Sequence, residues 1–200
     1  MRCLVKKKAK AKEWFTVIAP KFFGEKEIGV TLASEPKELL GRELTLSALE
    51  VVDNMNKYYL KISFKIVRVE GNKAFTEFHG SECMQDYIAR MVVRRVRRID
   101  TIQDLLTKDK VKLRVKSLCV ISRKAKSSIE KNLSNKLKEI IKEEVESKTL
   151  DEFIKSLISD EIKNKAIQEA KKIYPIRNFE IRKVEVMGKE EQQPQTKEEK

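Results

Sequence analysis

The sequence predicts an α+β fold in which an antiparallel, barrel-like β-sheet is flanked by amphipathic helices. Strand-like segments occur towards both ends of the 200-residue chain, and helix-like segments lie between them, as in α+β proteins. Residues 58–66 and 111–119 alternate apolar and polar side chains, which is typical of half-buried strands. Between about 127 and 174 the apolar residues recur at helical spacing instead.

The first strand is predicted at residues 14–20, a β-branched and aromatic run that ends at a proline. Residues 21–25 should follow as a loop, in which Phe22 and Phe23 either pack in the core or stack on bases. A short helical turn at residues 36–40 should then end at a glycine.

A second strand is predicted at residues 44–48, and a hairpin follows it. The alternation of residues 58–66 reverses at Val67 and Val69, so this strand should be irregular, with a bulge or a bend near Ile66. The sequence Glu-Gly-Asn-Lys at residues 70–73 is typical of a two-residue turn. It should return the chain along residues 74–79.

Residues 89–99 carry five arginines among aliphatic residues, and we interpret them as a helix. At about 100° per residue, Arg90, Arg94, Arg97 and Arg98 share one face, while Arg95 falls on the apolar face. A buried, unpaired guanidinium would be costly. Either the helix loosens before Arg95, or its side chain extends to a carboxylate or a phosphate, and we favour the phosphate.

The next strand, at residues 111–119, has an outer face with Lys112, Arg114 and Lys116, and residues 122–126 extend this basic surface. Capping boxes at Ser127 and Thr149 each begin an amphipathic helix, and a third helix should end near Pro175. A last strand, again with a phase change, is predicted at residues 179–186.

We predict three parts: a basic extension at residues 1–12 that is disordered in the free protein, one α+β domain at residues 13–187, and a disordered polar tail at residues 188–200. The helical part of the domain spans about residues 127–174.

The net charge of +13 is concentrated in two stretches. Residues 1–12 carry six basic residues and no acid, and residues 90–131 carry fourteen basic against four acidic residues. Such clustering favours a binding surface for nucleic acid or an anionic membrane, and no amphipathic lipid anchor accompanies it. Arginine matches phosphate oxygens in pairs, so a phosphate-rich partner is the natural inference.

The candidate RNA-binding residues are selected from the cations of these stretches and of the first loop. They are Lys6, Lys7, Lys8, Lys10, Lys12, Lys21, Arg90, Arg94, Arg95, Arg97, Arg98, Lys112, Arg114, Lys116, Arg123, Lys124 and Lys126.

Other functions are disfavoured by the residues that the chain lacks. His79 is the single histidine, and Cys3, Cys83 and Cys119 lack the spacing of a zinc site or a disulfide framework. No glycine occurs between Ser81 and Met187, so there is no phosphate-binding glycine loop. We expect no catalytic residue, metal, cofactor or small-molecule substrate. Without an apolar span or a signal peptide, we expect a cytoplasmic protein with no membrane partner.

The run WFTVIAPKFFGE at residues 14–25 closely resembles the opening of the S3Ae family of archaeal and eukaryotic small-subunit ribosomal proteins, and an archaeal member is expected. Further matches occur at residues 70–74, 86–88, 94–95, 107–109, 113–116, 150–153 and 170–175. The chain departs from the family where it has Lys110 in place of a glycine and near residues 52–54.

The resemblance implies a non-catalytic component of the small ribosomal subunit, bound to ribosomal RNA on the platform near the messenger exit. Its other partners would be neighbouring small-subunit proteins. The alternatives are a nucleic-acid-processing enzyme, which would need a pocket of clustered carboxylates, and a free regulatory RNA-binding protein.

Overall fold

A computed structural model describes residues 12–52 and 54–189 of the chain. They form eight strands and five α-helices, so the predicted α+β class is confirmed. The chain divides into two compact units, and the boundary between His79 and Gly80 lies inside one strand. The predicted single domain at residues 13–187 stays a prediction.

The first unit is built mainly from strands. Its elements are β1 (Glu13–Ile18), β2 (Glu27–Ala33), β3 (Glu43–Ser47), α1 (Ala48–Val52), β4 (Leu60–Glu70) and the first part of β5 (Lys73–Cys83), with short 3-10 turns at Lys21–Phe23, Pro36–Glu38 and Met55–Lys57. Strand β1 pairs with β2 in antiparallel and with β5 in parallel orientation. Strand β4 pairs with β3 and β5.

The second unit combines a sheet with a helical layer. Its elements are the end of β5, then α2 (Gln85–Met91), β6 (Arg97–Leu106), β7 (Val111–Ile121), α3 (Ser127–Ser147), α4 (Leu150–Ile158), α5 (Glu161–Lys171) and β8 (Ile176–Lys189). Strand β7 lies between β6 and β8, and all of these pairs are antiparallel. The end of β5 pairs with the other edge of β8.

The core of the first unit explains why β1 was predicted correctly. Phe15 and Val17 point inwards and pack with Ala33, Leu39 and Ile66. The loop after β1 also contributes, because the Phe23 ring packs edge-on against the buried Phe64 ring at a centroid distance of 5.8 Å. This contact agrees with the core-packing interpretation of the two phenylalanines.

The irregularity predicted near Ile66 is present, and the extra residue belongs to the partner segment. The Gly41 amide donates to the Ile66 carbonyl (2.8 Å), and the Ile66 amide donates to the Arg42 carbonyl (3.0 Å). With φ +82° at Gly41, this pattern is a glycine-type bulge in which two residues oppose one. Strand β4 continues through Val67, which is exposed, and Val69 then packs against the same core as Ile66.

The core of the second unit lies between the sheet and the helices α3, α4 and α5. Leu133, Leu137 and Ile141 of α3 and Phe153 of α4 are fully buried against β7, β8 and α5. All three helices predicted in this part of the chain are confirmed. The Thr149 capping box is also confirmed.

Barrel-like closure of the sheet is not supported. In the described residues β2, β3 and β6 each pair with a single neighbouring strand, and no pairing joins these three strands to one another. Closure requires every edge to find a partner. The sheet is therefore open.

Candidate nucleic-acid interface

The arginine-rich segment divides into three kinds of structure. Helix α2 ends at Met91, Arg94 and Arg95 lie in a turn, and Arg97 begins strand β6. The predicted helix over residues 89–99 is therefore wrong beyond Met91. The physical reason is that β-branched Val92, Val93 and Val96 favour extended backbone, and β6 gains ten residue pairs with β7.

Arg95 is exposed, so its predicted place on an apolar helix face is also wrong. Its backbone has φ +71°, a left-handed conformation that L-residues rarely adopt. Of the two alternatives that the sequence left open, the first is confirmed: the helix ends before Arg95.

The turn of Arg94 and Arg95 lies at the same end of the sheet as the start of the β7–α3 connection. Arg97, the first residue of β6, is paired with Ile121, the last residue of β7. The residues before Arg97 and the residues after Ile121 therefore leave the sheet at the same end. This register brings five of the predicted cations to one end of the β6–β7 pair. We call them the arginine corner: Arg94, Arg95, Arg97, Arg123 and Lys124.

Four of the predicted cations are already paired with carboxylates of the chain. Arg97 Nε contacts Glu130 Oε1 (3.0 Å), Arg98 contacts Asp100 (3.0 Å), and Lys116 contacts Glu185 (3.0 Å). Arg114 binds both oxygens of Asp104, at 2.7 and 2.8 Å. No acid lies between Arg90 and Arg98 in sequence, and the acids that pair with these cations come from β6, α3 and β8.

The pairing of Arg114 with Asp104 has an electrostatic signature. The shared hydrogen bonds raise the pKa of Arg114 and lower the pKa of Asp104. Asp104 lies in β6, directly opposite Arg114. Asp100, the partner of Arg98, lies in the same strand.

The contact of Glu130 with Arg97 also shows that a second sequence prediction is wrong. The predicted capping box of α3 needs the Glu130 carboxylate near Ser127, whereas this carboxylate contacts Arg97. The N-cap residue is Lys126, and no side chain caps the helix there.

The remaining described candidates are exposed or partly exposed cations for which no carboxylate partner is found in the described residues. They are Lys12, Lys21, Arg90, Arg94, Arg95, Lys112, Arg123, Lys124 and Lys126. Lys112 is separated from the arginine corner by the length of β7, roughly 30 Å at about 3.3 Å per residue. Lys12 and Lys21 belong to the first unit, and Lys6, Lys7, Lys8 and Lys10 lie outside the described residues.

A cleft of about 490 Å³ lies between helix α2 and the sheet of the second unit. Ile88, Ala89 and Val92 form an apolar wall. The rest of the lining has four cations and one acid, and consists of Arg98, Lys116, Arg182, Lys183, Glu82, Cys83 and Gln85. We call this the α2 cleft. A basic concave surface of this kind can hold phosphate groups.

Sequence reasoning missed Arg182 and Lys183. The register of β8 against β7 shifts there, because Lys116 is opposite Lys183 while Ser117 is opposite Ile181. Arg182 is the extra residue of this bulge. The phase change that the sequence indicates in the last strand was the available signal.

The described residues contain no group of three or more His, Cys, Asp and Glu side chains that could hold a metal ion. His79 contacts Glu43 (3.0 Å). Cys83 and Cys119 are buried, and burial raises the pKa of the Cys119 thiol to about 12, which makes it unreactive. No described helix is long and apolar enough to cross a membrane.

Comparison with known proteins gives one consistent family. The sequence profile of the Ribosomal S3Ae family matches residues 3–190. The chain is 37% identical over 188 residues to the small ribosomal subunit protein eS1 of Methanopyrus kandleri, covering 92% of this chain and 89% of that protein.

Two further relatives are also small ribosomal subunit proteins eS1. The eS1 protein of Sulfurisphaera tokodaii is 34% identical, over 92% of this chain and 95% of its own length. That of Methanothrix thermoacetophila is 34% identical, over 90% of this chain and 86% of its own length.

Proposed function

The chain belongs to the ribosomal S3Ae family, and from this premise we propose that it is a structural constituent of the small ribosomal subunit that binds ribosomal RNA. The observation that carries the proposal is the family match, which extends over nearly the whole chain. The family is one of ribosomal proteins, so the chain is not an enzyme.

A more specific proposal concerns where the chain binds in the small subunit and which molecules it contacts there. By resemblance to its family, the chain binds on the platform of the subunit near the messenger exit, in the cytoplasm. There it contacts ribosomal RNA and neighbouring small-subunit proteins. No small-molecule substrate or membrane is involved in this proposal.

Charge supports RNA as the partner. The arginine corner and the α2 cleft both lie in the second unit, and both present cations to solvent. Phosphate contacts fix the position of a protein on nucleic acid, while RNA shape and unpaired bases provide specificity. The cations without a carboxylate partner are the better candidates, because a phosphate need not displace a carboxylate from them.

Sedimentation tests the ribosomal role. When the tagged chain is produced in an archaeal host, it should cosediment with the small subunit in amounts that approach one copy per particle. A chain that stays at the top of the gradient, or that moves with free RNA alone, would contradict the proposal.

Salt dependence tests the RNA contacts. The double variant Arg94→Ala/Arg123→Ala should lower the slope of log affinity for ribosomal RNA against log salt by roughly two ions. The matched control is Lys142→Ala, which removes a cation of α3 that contacts Glu146 at 3.8 Å. If both proteins lose the same slope, the arginine corner is not a specific contact.

A further inference from the structure

Trp14 is exposed although it lies inside a regular strand. It is the single tryptophan of the chain, and 62% of its surface is accessible. Its neighbour Phe15 is buried in the core of the first unit, so the fold does not need an apolar side chain at residue 14. Large exposed aromatics of this kind mark contact surfaces.

The neighbours of Trp14 extend this surface. In the antiparallel β1–β2 pair, Trp14 is opposite Leu32 and Thr16 is opposite Val30. Directly opposed residues point to the same face of a sheet, and Leu32 and Val30 are both exposed. This part of the face is therefore apolar and exposed.

The charges nearest Trp14 on this face are positive, whereas an acid, Glu27, is opposite Ile18 at the other end of β1. Lys12 directly precedes β1 and is exposed, and Lys73 is opposite Thr16 in the parallel β1–β5 pair. In sequence, the six cations of residues 1–12 are joined directly to β1. The nearest acid in sequence, Glu13, alternates to the other side with Phe15. An anionic partner is thus favoured over a neutral one.

A second aromatic ring lies on the same face and is covered. Phe75 is opposite Ile18, and the guanidinium of Arg68 lies 4.6 Å from the centre of its ring. Trp14 has no such cover among the aromatic and cation contacts of the described residues. Its ring is therefore the open stacking surface of this face.

We propose that this face binds an unpaired stretch of RNA, with one base stacked on Trp14 and its phosphates near Lys12 and Lys73. Bases in a duplex stack on one another and offer no free face, whereas an unpaired base can stack on an aromatic ring. The surface differs from the arginine corner and the α2 cleft, and the inference rests on the proposed function only in that the partner is RNA.

The first experiment uses the intrinsic fluorescence of Trp14 in the full chain. Titration with a ten-nucleotide oligouridine should quench this fluorescence, because a stacked base contacts the indole. An RNA duplex of the same length and inorganic phosphate should quench much less. If the duplex or phosphate quenches as strongly as the single strand, the contact is ionic and the proposal is overturned.

The second experiment measures affinity with a labelled oligouridine. Trp14→Ala should weaken binding on the order of tenfold, which is the effect of losing one stacked base. Trp14→Phe should retain most of the affinity, and Trp14→Leu, which is apolar and cannot stack, should not. The matched control is Ile102→Ala, at a residue of β6 that is 56% exposed.

The results that would contradict RNA stacking on Trp14 differ from the result that would contradict the proposed ribosomal function. Equal affinity of Trp14→Leu and Trp14→Phe would overturn stacking. Stacking would also be overturned if the chain self-associated without RNA and Trp14→Ala abolished this self-association. The face would then bind a second copy of the chain. Failure to cosediment with the small subunit would remove the ribosomal role and leave the oligouridine result as it stands.

Discussion

Arg95 has a backbone conformation that its residue type disfavours. A left-handed φ costs an L-residue roughly 1–2 kcal/mol, and glycine would have no such cost. The Arg95 side chain is exposed, and none of the ion pairs found in the described residues involves it. We infer that the charge of Arg95, rather than a packing role, accounts for arginine in this turn.

Two substitutions of Arg95 distinguish the effect of its charge on RNA binding from the effect of its backbone conformation on stability. Arg95→Ala keeps the strained conformation and should leave the melting temperature nearly unchanged, while Arg95→Gly should keep or raise it by relieving strain. Both should lower the salt slope of RNA binding by about one ion. A clear fall in melting temperature for Arg95→Ala, with an unchanged slope, would assign Arg95 a structural role.

The candidate residues could be predicted from sequence only by type and segment. The sequence showed that a continuous helix would place the charged Arg95 on an apolar face. It could not decide whether the helix ends before Arg95 or the side chain extends to a partner. Arg182 was missed because its position depends on a bulge in β8. The pairing of Arg114 with Asp104 depends on strand register, which a residue pattern does not specify.

At the scale of elements, the helices between residues 127 and 174 were easier to predict than strands β2 and β6. Thr149 and Glu152 form a local capping box that can be recognised without the rest of the fold. Strand β2 was missed because Val30 and Leu32 point to the open face of the sheet while Thr31 and Ala33 are buried. Strand β6 was missed because its arginines continue a pattern that also fits a helix.

The helical layer is tied together at Glu144, which is mostly buried. Lys148 Nζ contacts Glu144 Oε2 (2.7 Å), and Lys165 of α5 contacts Oε1 (2.6 Å). Burial alone would raise the pKa of Glu144, but the hydrogen bonds from both lysines outweigh it and lower the pKa below 4.5. The carboxylate form is therefore the one that stabilises the fold.

Glu144→Gln should lower the free energy of unfolding at pH 7 by roughly 1–2 kcal/mol, a modest value because Lys165 is half exposed. A lowered pKa contributes stability above the unfolded value, and this contribution is lost as the pH falls through the folded value. The difference between the variant and the natural chain should thus shrink below about pH 4.5 in thermal melts. A difference that stays constant down to pH 3 would contradict this role of Glu144.

The junction of β5 and β8 depends on Gly80. A Cβ atom added there would lie 2.6 Å from the Val184 carbonyl oxygen, which belongs to the backbone and cannot rotate away. Gly80→Ala should therefore destabilise the chain by roughly 1–3 kcal/mol, as overpacking does. Gly29→Ala is the control, because nothing lies within 4 Å of its added Cβ. Equal melting temperatures for the two variants would show that β8 can move to accommodate the methyl group.

At the scale of the whole molecule, the α+β class followed from the two periodicities, but strand order did not. Whether a sheet closes depends on pairs between residues far apart in sequence. Strand β5 shows the difficulty, since it pairs with β1 through Thr16 and Lys73 and with β8 through Gly80 and Glu185. No local pattern in the chain indicates these partners.

The uneven distribution of charge leads to a prediction for the intact protein. Residues 1–11 contain Arg2 and four lysines and no acid, so their deletion lowers the net charge from +13 to +8. Because the like charges of this segment repel one another and only Met1, Leu4 and Val5 offer large apolar side chains, the deletion should leave the melting temperature unchanged. Since each phosphate contact contributes about 0.7–0.9 to the salt slope, the slope for ribosomal RNA should fall by as much as about four.

The polar tail provides the matched control for this deletion. Residues 190–200 carry four acids and two lysines, so their removal deletes a segment of the same length with the opposite net charge. RNA binding should keep its salt slope in that variant, because an acidic segment makes no favourable phosphate contacts. If both deletions lowered the slope equally, or if removing residues 1–11 left RNA affinity unchanged, the anchoring role of the basic extension would be wrong, and the arginine corner and the α2 cleft would have to account for the binding.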